Sequence, residues 1–321
     1  MDEATTKFVI MVAVVVFSSA AGYAARRFGW LAEHMATRIT LWIMIVGYPA
    51  AGLLAVWTLK LRWADAWVTI QPVIQTFACF GLGLLIARWH KLRRESAGVF
   101  SYAAAHSNWG FTMGGFICLR LFGEQGLAYT VIYATLWTII MFGLFFPLAG
   151  RFAGRTERYG LASFVRNLLD LRCLPLAGVL VGIGLSLSGI ERPAVFQQWR
   201  IIDALVILCT AVMFFVTGLR LHVSHVWGHL RLYAWLAGIK FVFSPMLALG
   251  LIWLVQQAGL DLASLPVNVM IVESFMPMAL FAVAAANLYG LDAPLASSLF
   301  AANTVMFLVL VLPVITLGIS W

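Results

Sequence analysis

The chain is 321 residues long, 63% hydrophobic and only 11% charged, with a formal net charge of +8. Soluble domains carry about 25% charged residues, so neither a soluble enzyme nor a separate soluble domain fits this composition. The basic residues sit in short loops between apolar runs, which excludes a nucleic-acid-binding patch and reads instead as a topology signal.

Taken in order, runs near the ~20 residues that a spanning helix needs predict ten helices, at 8–25, 37–57, 66–87, 97–119, 126–148, 174–189, 200–219, 231–256, 265–288 and 293–318. The first follows MDEATTK, which lacks the basic start of a secretion signal, and Arg26 and Arg27 come only after it. It is therefore expected to be retained as a span. Trp30, Trp57, Trp63, Trp89, Trp199 and Trp253 fall near span ends, as an interfacial aromatic belt requires. Cys79, Cys118, Cys173 and Cys209 are scattered, have no metal spacing and read as small apolar residues.

Loops after odd-numbered spans hold Arg26, Arg27, Arg38, Arg88, Lys91, Arg93, Arg94, Arg151, Arg155, Arg158, Arg166, Arg172, Arg220 and Arg231. The opposite side holds Lys7, Lys60, Arg62, Arg120, Arg192 and Arg200. This bias predicts a multi-pass protein of the cell (plasma or inner) membrane with both termini on the non-cytoplasmic side. It also makes 149–173 a cytoplasmic linker, with LASFVRNLLD as a short interfacial helix.

Spans four and nine are interrupted. Span four contains Ser107-Asn108-Trp109-Gly110-Phe111-Thr112-Met113-Gly114-Gly115. Each Gly costs about 1 kcal/mol relative to Ala in a helix, and Ser and Asn compete for backbone hydrogen bonds. Span nine contains Glu273-Ser274 and then Pro277, which has no backbone donor. Broken helix persists in a membrane only where protein or a water-filled cavity covers it. The loop tally leaves Lys240 as the one cation and Glu273 as the one anion deep in a span, where a charge costs at least ~2.5–3.5 kcal/mol. At about 1.5 Å of rise per residue, Lys240, Glu273 and Asn108 all fall near the midplane. Each interrupted span is fourth in a set of five, and five is odd, so the second set enters upside down. Repeats at 1–148 and 174–321 follow, and interrupted segments at matching positions of inverted halves point to a transporter site.

The candidate site takes its residues from both breaks. Helix halves beginning after Gly110 and Pro277 would aim partly positive N-termini at a midplane cavity, which favours an anion. Asn108, Ser107 and Thr112 are candidate carboxylate ligands, with interhelical packing bonds as the alternative. Gly110 and Gly114 also spell GxxxG, so close helix packing is their alternative. Ser274 and Pro277 complete the second break. Lys240 either neutralises a substrate carboxylate or pairs with Glu273, which is the candidate for proton coupling. Asn287 and Asn303 read as packing residues.

His222, His225 and His229 have a ligand-like spacing but read as a solvated loop, so no metal site and no cofactor is expected. His106 stands beside the break, with titration and packing both open. Gly182-Ile183-Gly184 follows a Pro-initiated apolar helix rather than a strand, which rules out a nucleotide fingerprint, and no hydrolase or Walker motif occurs.

Six stretches in order resemble the auxin efflux carrier family: TLWIMIVGYPAAGLL, HSNWGFTMGG, CLPLAGVLVGIGLSLSGIERP, VMFFVTGLRL, GIKFVFSPMLAL and VESFMPMALFAVAAANLYGLDAPLASSLFAANTVMFLVLVLP. The resemblance implies an all-α fold of ten transmembrane helices in a 5+5 inverted repeat, shared with bile-acid/sodium symporters. It also implies that spans four and nine cross at the substrate site, and that members carry organic anions such as auxin, malate or malonate. Where the family has Pro soon after its fourth-helix glycines, this chain has Gly115-Phe116.

The sequence thus predicts a secondary transporter of small organic anions, chiefly carboxylates, working by alternating access with proton coupling as an option. A passive channel or facilitator of the same fold is the near alternative. A membrane-embedded enzyme or sensor is the distant one, for want of a nucleophile, a metal constellation or a signalling domain. The lipid bilayer and the organic anion are the expected partners, nucleic acid is not, and a homodimer stays open.

Overall fold

The computed structural model describes residues 3–32, 34–154, 164–166, 170–220 and 226–318. Among them the chain forms helices and no strand, and seven helices are long and apolar enough to cross a membrane. In chain order the helices are α1 (Glu3–Arg27), α2 (Met35–Val56), α3 (Trp63–Trp89), α4 (Arg94–Ala105) and α5 (Met113–Phe152). They continue with α6 (Leu174–Leu187), α7 (Ile201–Leu219), α8 (Leu230–Gln257), α9 (Ser264–Ser274), α10 (Leu280–Tyr289) and α11 (Ala293–Leu317). α5 is two helices, because Gly123 (φ 71°, ψ −161°) reverses the chain after 113–122 before 124–152 begins. Span four of the sequence reading is therefore α4, a break and 113–122, and span nine is α9, a break and α10. The linker stretch 161–170 falls mostly outside the described residues, as do His222 and His225. His229 is exposed at the start of α8.

Prolines explain an irregularity shared by four spans. Widened i→i+5 turns occupy Ile43–Gly47, Met141–Phe145, Ile239–Phe243 and Phe307–Val311. Each is followed two residues later by a proline: Pro49, Pro147, Pro245 and Pro313. Proline lacks an N–H and its ring clashes with the carbonyl four residues back. That carbonyl is the middle residue of each widened turn, so opening the turn relieves the clash and lets the helix continue.

Packing falls into two groups. α1 lies along α7, and α2 along α6 and α7. α3, α4, α5, α8, α9, α10 and α11 pack mainly with one another, and α5 also touches α2 and α7. Lipid gives helices no hydrophobic reason to associate, so close backbone approach through small residues does the work. Gly22 and Gly218 bring α1 and α7 together, each facing a carbonyl of the other helix, Phe215 and Ser19. Gly178 and Gly182 seat α6 on the α2 backbone at Pro49 and Leu53.

Contacts between loops join residues from the same side of the charge count. Arg220 donates to Thr37 Oγ1 at 2.8 Å, and Arg94 donates to the Arg151 carbonyl, on the arginine-rich face. Arg192 meets Glu124 at 2.6 Å and Arg62 meets Asp261 at 3.9 Å on the arginine-poor face. Trp30, Trp63, Trp89, Trp199 and Trp253 are exposed, as a belt requires. Trp57 differs: its indole N–H donates to the Ile190 carbonyl at 2.7 Å and ties α2 to the loop after α6.

Candidate functional site

The two breaks meet. α4 ends at Ala105 and α5 starts at Met113; α9 ends at Ser274 and α10 starts at Leu280. The extended segments between them pair backbone to backbone, with Ser107 opposite Met278 in antiparallel sense. Asn108 N–H donates to the Pro277 carbonyl at 2.7 Å, and Ala279 N–H donates to the His106 carbonyl at 2.9 Å. The Met278 N–H goes to Asn303 Oδ1 at 2.7 Å. Part of the polar backbone freed by each break is thus met by protein, as the membrane interior demands. The helices restart two residues later than the sequence reading placed them, at Met113 and Leu280 rather than directly after Gly110 and Pro277.

Glycine is used here for two different reasons. Gly110 has φ +73°, a left-handed turn that an L side chain strains to adopt, and its carbonyl receives the Gly115 N–H. Because Gly110 lies outside any helix, the GxxxG reading of Gly110 and Gly114 does not hold. Gly114 is small for another reason: the Glu273 carboxylate lies where its Cβ would be.

Neither restarted helix has a side-chain cap. Gly114 N–H bonds to the Asn108 carbonyl at 3.1 Å, while the amides of Phe111, Thr112 and Met113 have no acceptor among the described residues. An uncapped N-terminus with partial positive charge is a ready anion site. Ser107, Asn108, Gly110 and Thr112 line a cavity of about 70 Å³ there, walled by Tyr48, Trp109, Trp137 and Phe281. Through Met44, Phe142 and Phe281 it adjoins a larger cavity of about 360 Å³, which reaches Thr37, Arg220 and Asn287 on the arginine-rich face.

The other predicted residues stand behind this wall. Lys240, in the widened turn of α8, is 1% exposed and donates to Ser107 Oγ at 3.0 Å. It makes no ion pair with Glu273, so that alternative for Lys240 is set aside. Glu273 is fully buried; Cys118 Sγ lies 4.0 Å from its Oε1, and Oε2 has no hydrogen-bond partner. Its carbonyl accepts the Trp109 indole N–H at 2.8 Å, which locks the first break against α9. Ser274 holds α8 to α9, its carbonyl accepting from Ser244 Oγ at 3.0 Å. Pro277 contributes the carbonyl that Asn108 uses.

Several participants were missed from sequence. Thr210, at the middle of α7, lies 3.2 Å and 3.1 Å from the carbonyls of Phe111 and Thr112 and bridges the two helix groups at the break. Gln75 donates to Ser244 and accepts from Tyr133 at 2.6 Å. Trp137, also missed, donates its indole N–H at 3.0 Å to Nδ1 of His106, a residue the sequence did single out, which leaves the proton of a neutral ring on Nε2. Tyr, Trp and Gln at these positions look like ordinary span residues, and only Thr210 breaks its apolar run visibly. No group of His, Cys, Asp and Glu able to hold a metal occurs among the described residues.

Apolar helices folded around two paired, uncapped breaks define a multi-pass helical membrane protein with a polar centre. No family model matches the chain. It is similar to the Methanocaldococcus jannaschii protein named uncharacterized transporter MJ1031, with 25% identity over an alignment covering 94% of this chain and 96% of that one.

Proposed function

We propose that this chain is a secondary transporter of small organic anions carrying a carboxylate, of the kind its resemblance to the auxin efflux carrier family implies. In this reading it has ten spans in two inverted repeats, 1–148 and 174–321, with 149–173 as linker. The observation that carries the reading is the pair of broken helices joined at 106–108 and 277–279, with two uncapped N-termini and a buried lysine beside them.

The chemistry follows from charge. Each helix N-terminus carries roughly half a positive charge, and Lys240 adds a full one when protonated. A carboxylate in the cavity would accept from the free amides at 111–113 and from Asn108 or Thr112, whose side chains otherwise bond each other. Ser107 would relay the Lys240 charge to it. Aromatic walls from Tyr48, Trp137 and Phe281 suit the organic part of such an anion.

Alternating access would move α3–α5 and α8–α11 against α1, α2, α6 and α7, carrying the crossed breaks from one face to the other. The Thr210 contact would then part. Glu273 is the proton-coupling candidate, since its charge would alter the fit against Gly114. The arginine-rich face would be cytoplasmic, so the larger cavity is the cytoplasmic approach.

The test is uptake of radiolabelled mono- and dicarboxylates into proteoliposomes under imposed pH or sodium gradients. Saturable flux or exchange of at least one anion, lost in Asn108→Leu, is expected. Absence of both gradient-driven and exchange flux across the panel would overturn the proposal.

A further inference from the structure

Five buried polar atoms without a hydrogen-bond partner fall along one route from the arginine-poor face to Glu273. They are Asp65 Oδ1, both amide atoms of Gln71, Thr130 Oγ1 and Glu273 Oε2. Two tyrosines of α5 fix the route. Tyr129 Oη donates to Asp65 Oδ2 at 3.3 Å near the start of α3, and Tyr133 Oη donates to Gln75 Oε1 one turn deeper. Gln71 precedes Gln75 by four residues and shares its helix face, so it lies between the two tyrosine contacts. Thr130 lies between the same tyrosines in α5 and approaches the carboxyl of Glu273. At the outer end, Asp65 and Thr69 line a cavity of about 470 Å³ on the arginine-poor face.

We propose that this route is a hydrated proton path from the arginine-poor face to Glu273, with Gln71 as its positioning residue. The proposal rests on the reading of Glu273 as the proton-coupling group. Buried polar groups in folded proteins are nearly always satisfied, by ordered water where protein offers nothing. Gln71 has a donor and an acceptor to give, and both are unspent. An amide does not itself pass a proton at neutral pH; it orients waters that do. A proton enters from the outer solution at Asp65, moves along those waters past Tyr129 and Thr130, and forms an O–H bond on Glu273 Oε2. The carboxylate loses its charge, and the last water is restored by the proton behind it.

α9 packs against α5, α3 and α8. The titratable groups on that side are Cys118 and Tyr133 of α5, Cys79 of α3 and Lys240 of α8. All four are buried, and Lys240 is turned to Ser107. None of them reaches the arginine-poor face, whereas Asp65 lines its cavity.

The experiment is hydrogen–deuterium exchange of the Glu273 carboxyl, followed by infrared difference spectroscopy of the full chain in lipid after switching to D₂O. The band is assigned by its loss in Glu273→Gln. Gln71→Leu, which removes only an unpaired amide, is expected to slow exchange roughly tenfold or more; Gln71→Asn, which keeps an amide, is expected to restore much of the rate. Thr130→Val should slow it as well. Exchange at the wild-type rate in Gln71→Leu, or no recovery in Gln71→Asn protein that elutes as a folded monodisperse species, would overturn the path. Radiolabelled malate uptake under a pH gradient, measured on the same preparations, separates the two readings. Gln71-dependent exchange with gradient-independent malate flux removes proton coupling and keeps the path.

Discussion

Replacing Gly114 by Ala tests how the first break is held against α9. A Cβ built on Gly114 lies 2.6 Å from the carboxyl carbon of Glu273 and meets both of its oxygens. Glu273 is fully buried, so its side chain has no solvent to retreat into. Overpacking of this kind costs about 1–3 kcal/mol, and the better helix propensity of Ala returns up to ~1 kcal/mol. A net loss of about 1–2 kcal/mol is expected for Gly114→Ala. In a Glu273→Ala background the overlap is gone, and the same substitution is expected to be neutral or stabilising by up to ~1 kcal/mol. The pair should therefore show a coupling energy of about 1–3 kcal/mol in a double-mutant cycle. The assay is SDS-induced unfolding in mixed micelles, read by tryptophan fluorescence for the four proteins. Equal cost of Gly114→Ala in both backgrounds would refute the reasoning, because the strain would then lie with some neighbour other than Glu273.

Three further outcomes follow from single contacts. Lys240→Met removes a buried ammonium whose hydrogen-bond partner is Ser107; thermal stability in detergent is expected to hold or rise by about 1–4 kcal/mol. Saturable anion uptake by the same variant should fall at least roughly tenfold, and unchanged uptake would remove Lys240 from the site. Asn303→Leu strands the buried Met278 N–H, a loss of about 1–3 kcal/mol that a calorimetric melt of purified protein would register. Gly178→Val drives its side chain into the Pro49 backbone, for about 1–3 kcal/mol or more. Gly184→Ala, where a Cβ meets nothing within 4 Å, is its control and should stay within about 0.5 kcal/mol of wild type.

What could be read from sequence was what hydropathy and helix breakers encode. The apolar runs, the interruptions at 107–115 and near Pro277, and the isolation of Lys240 and Glu273 are all one-dimensional features. Rotation about each helix axis is not. Ser107, Asn108, Gly110 and Thr112 face the cavity, whereas Gly114, Ser274, Lys240 and Glu273 lie behind it, and nothing in the spacing of a broken segment fixes that division. The Glu273–Gly114 contact and the Thr210 bridge depend on which faces of distant helices meet. The four widened turns at Ile43–Gly47, Met141–Phe145, Ile239–Phe243 and Phe307–Val311 were legible in principle, since each of these stands two residues before a proline.

The absence of proline after the fourth-span glycines has a physical explanation at the crossing. Proline at 115 would remove the N–H that bonds the Gly110 carbonyl, and its bulk would fall on that same carbonyl. In this chain the turn is closed by those amides and by the left-handed Gly110 instead. The two breaks are therefore built by opposite means. At the second, Pro277 has no donor and leaves its carbonyl to Asn108. At the first, Gly114 and Gly115 keep their donors and spend them on closing the loop, so the amides left for an anion are those of 111–113. A ligand bound there would lie on the 107–115 side of the crossing, against Ser107 with Lys240 behind it, rather than midway between the two breaks.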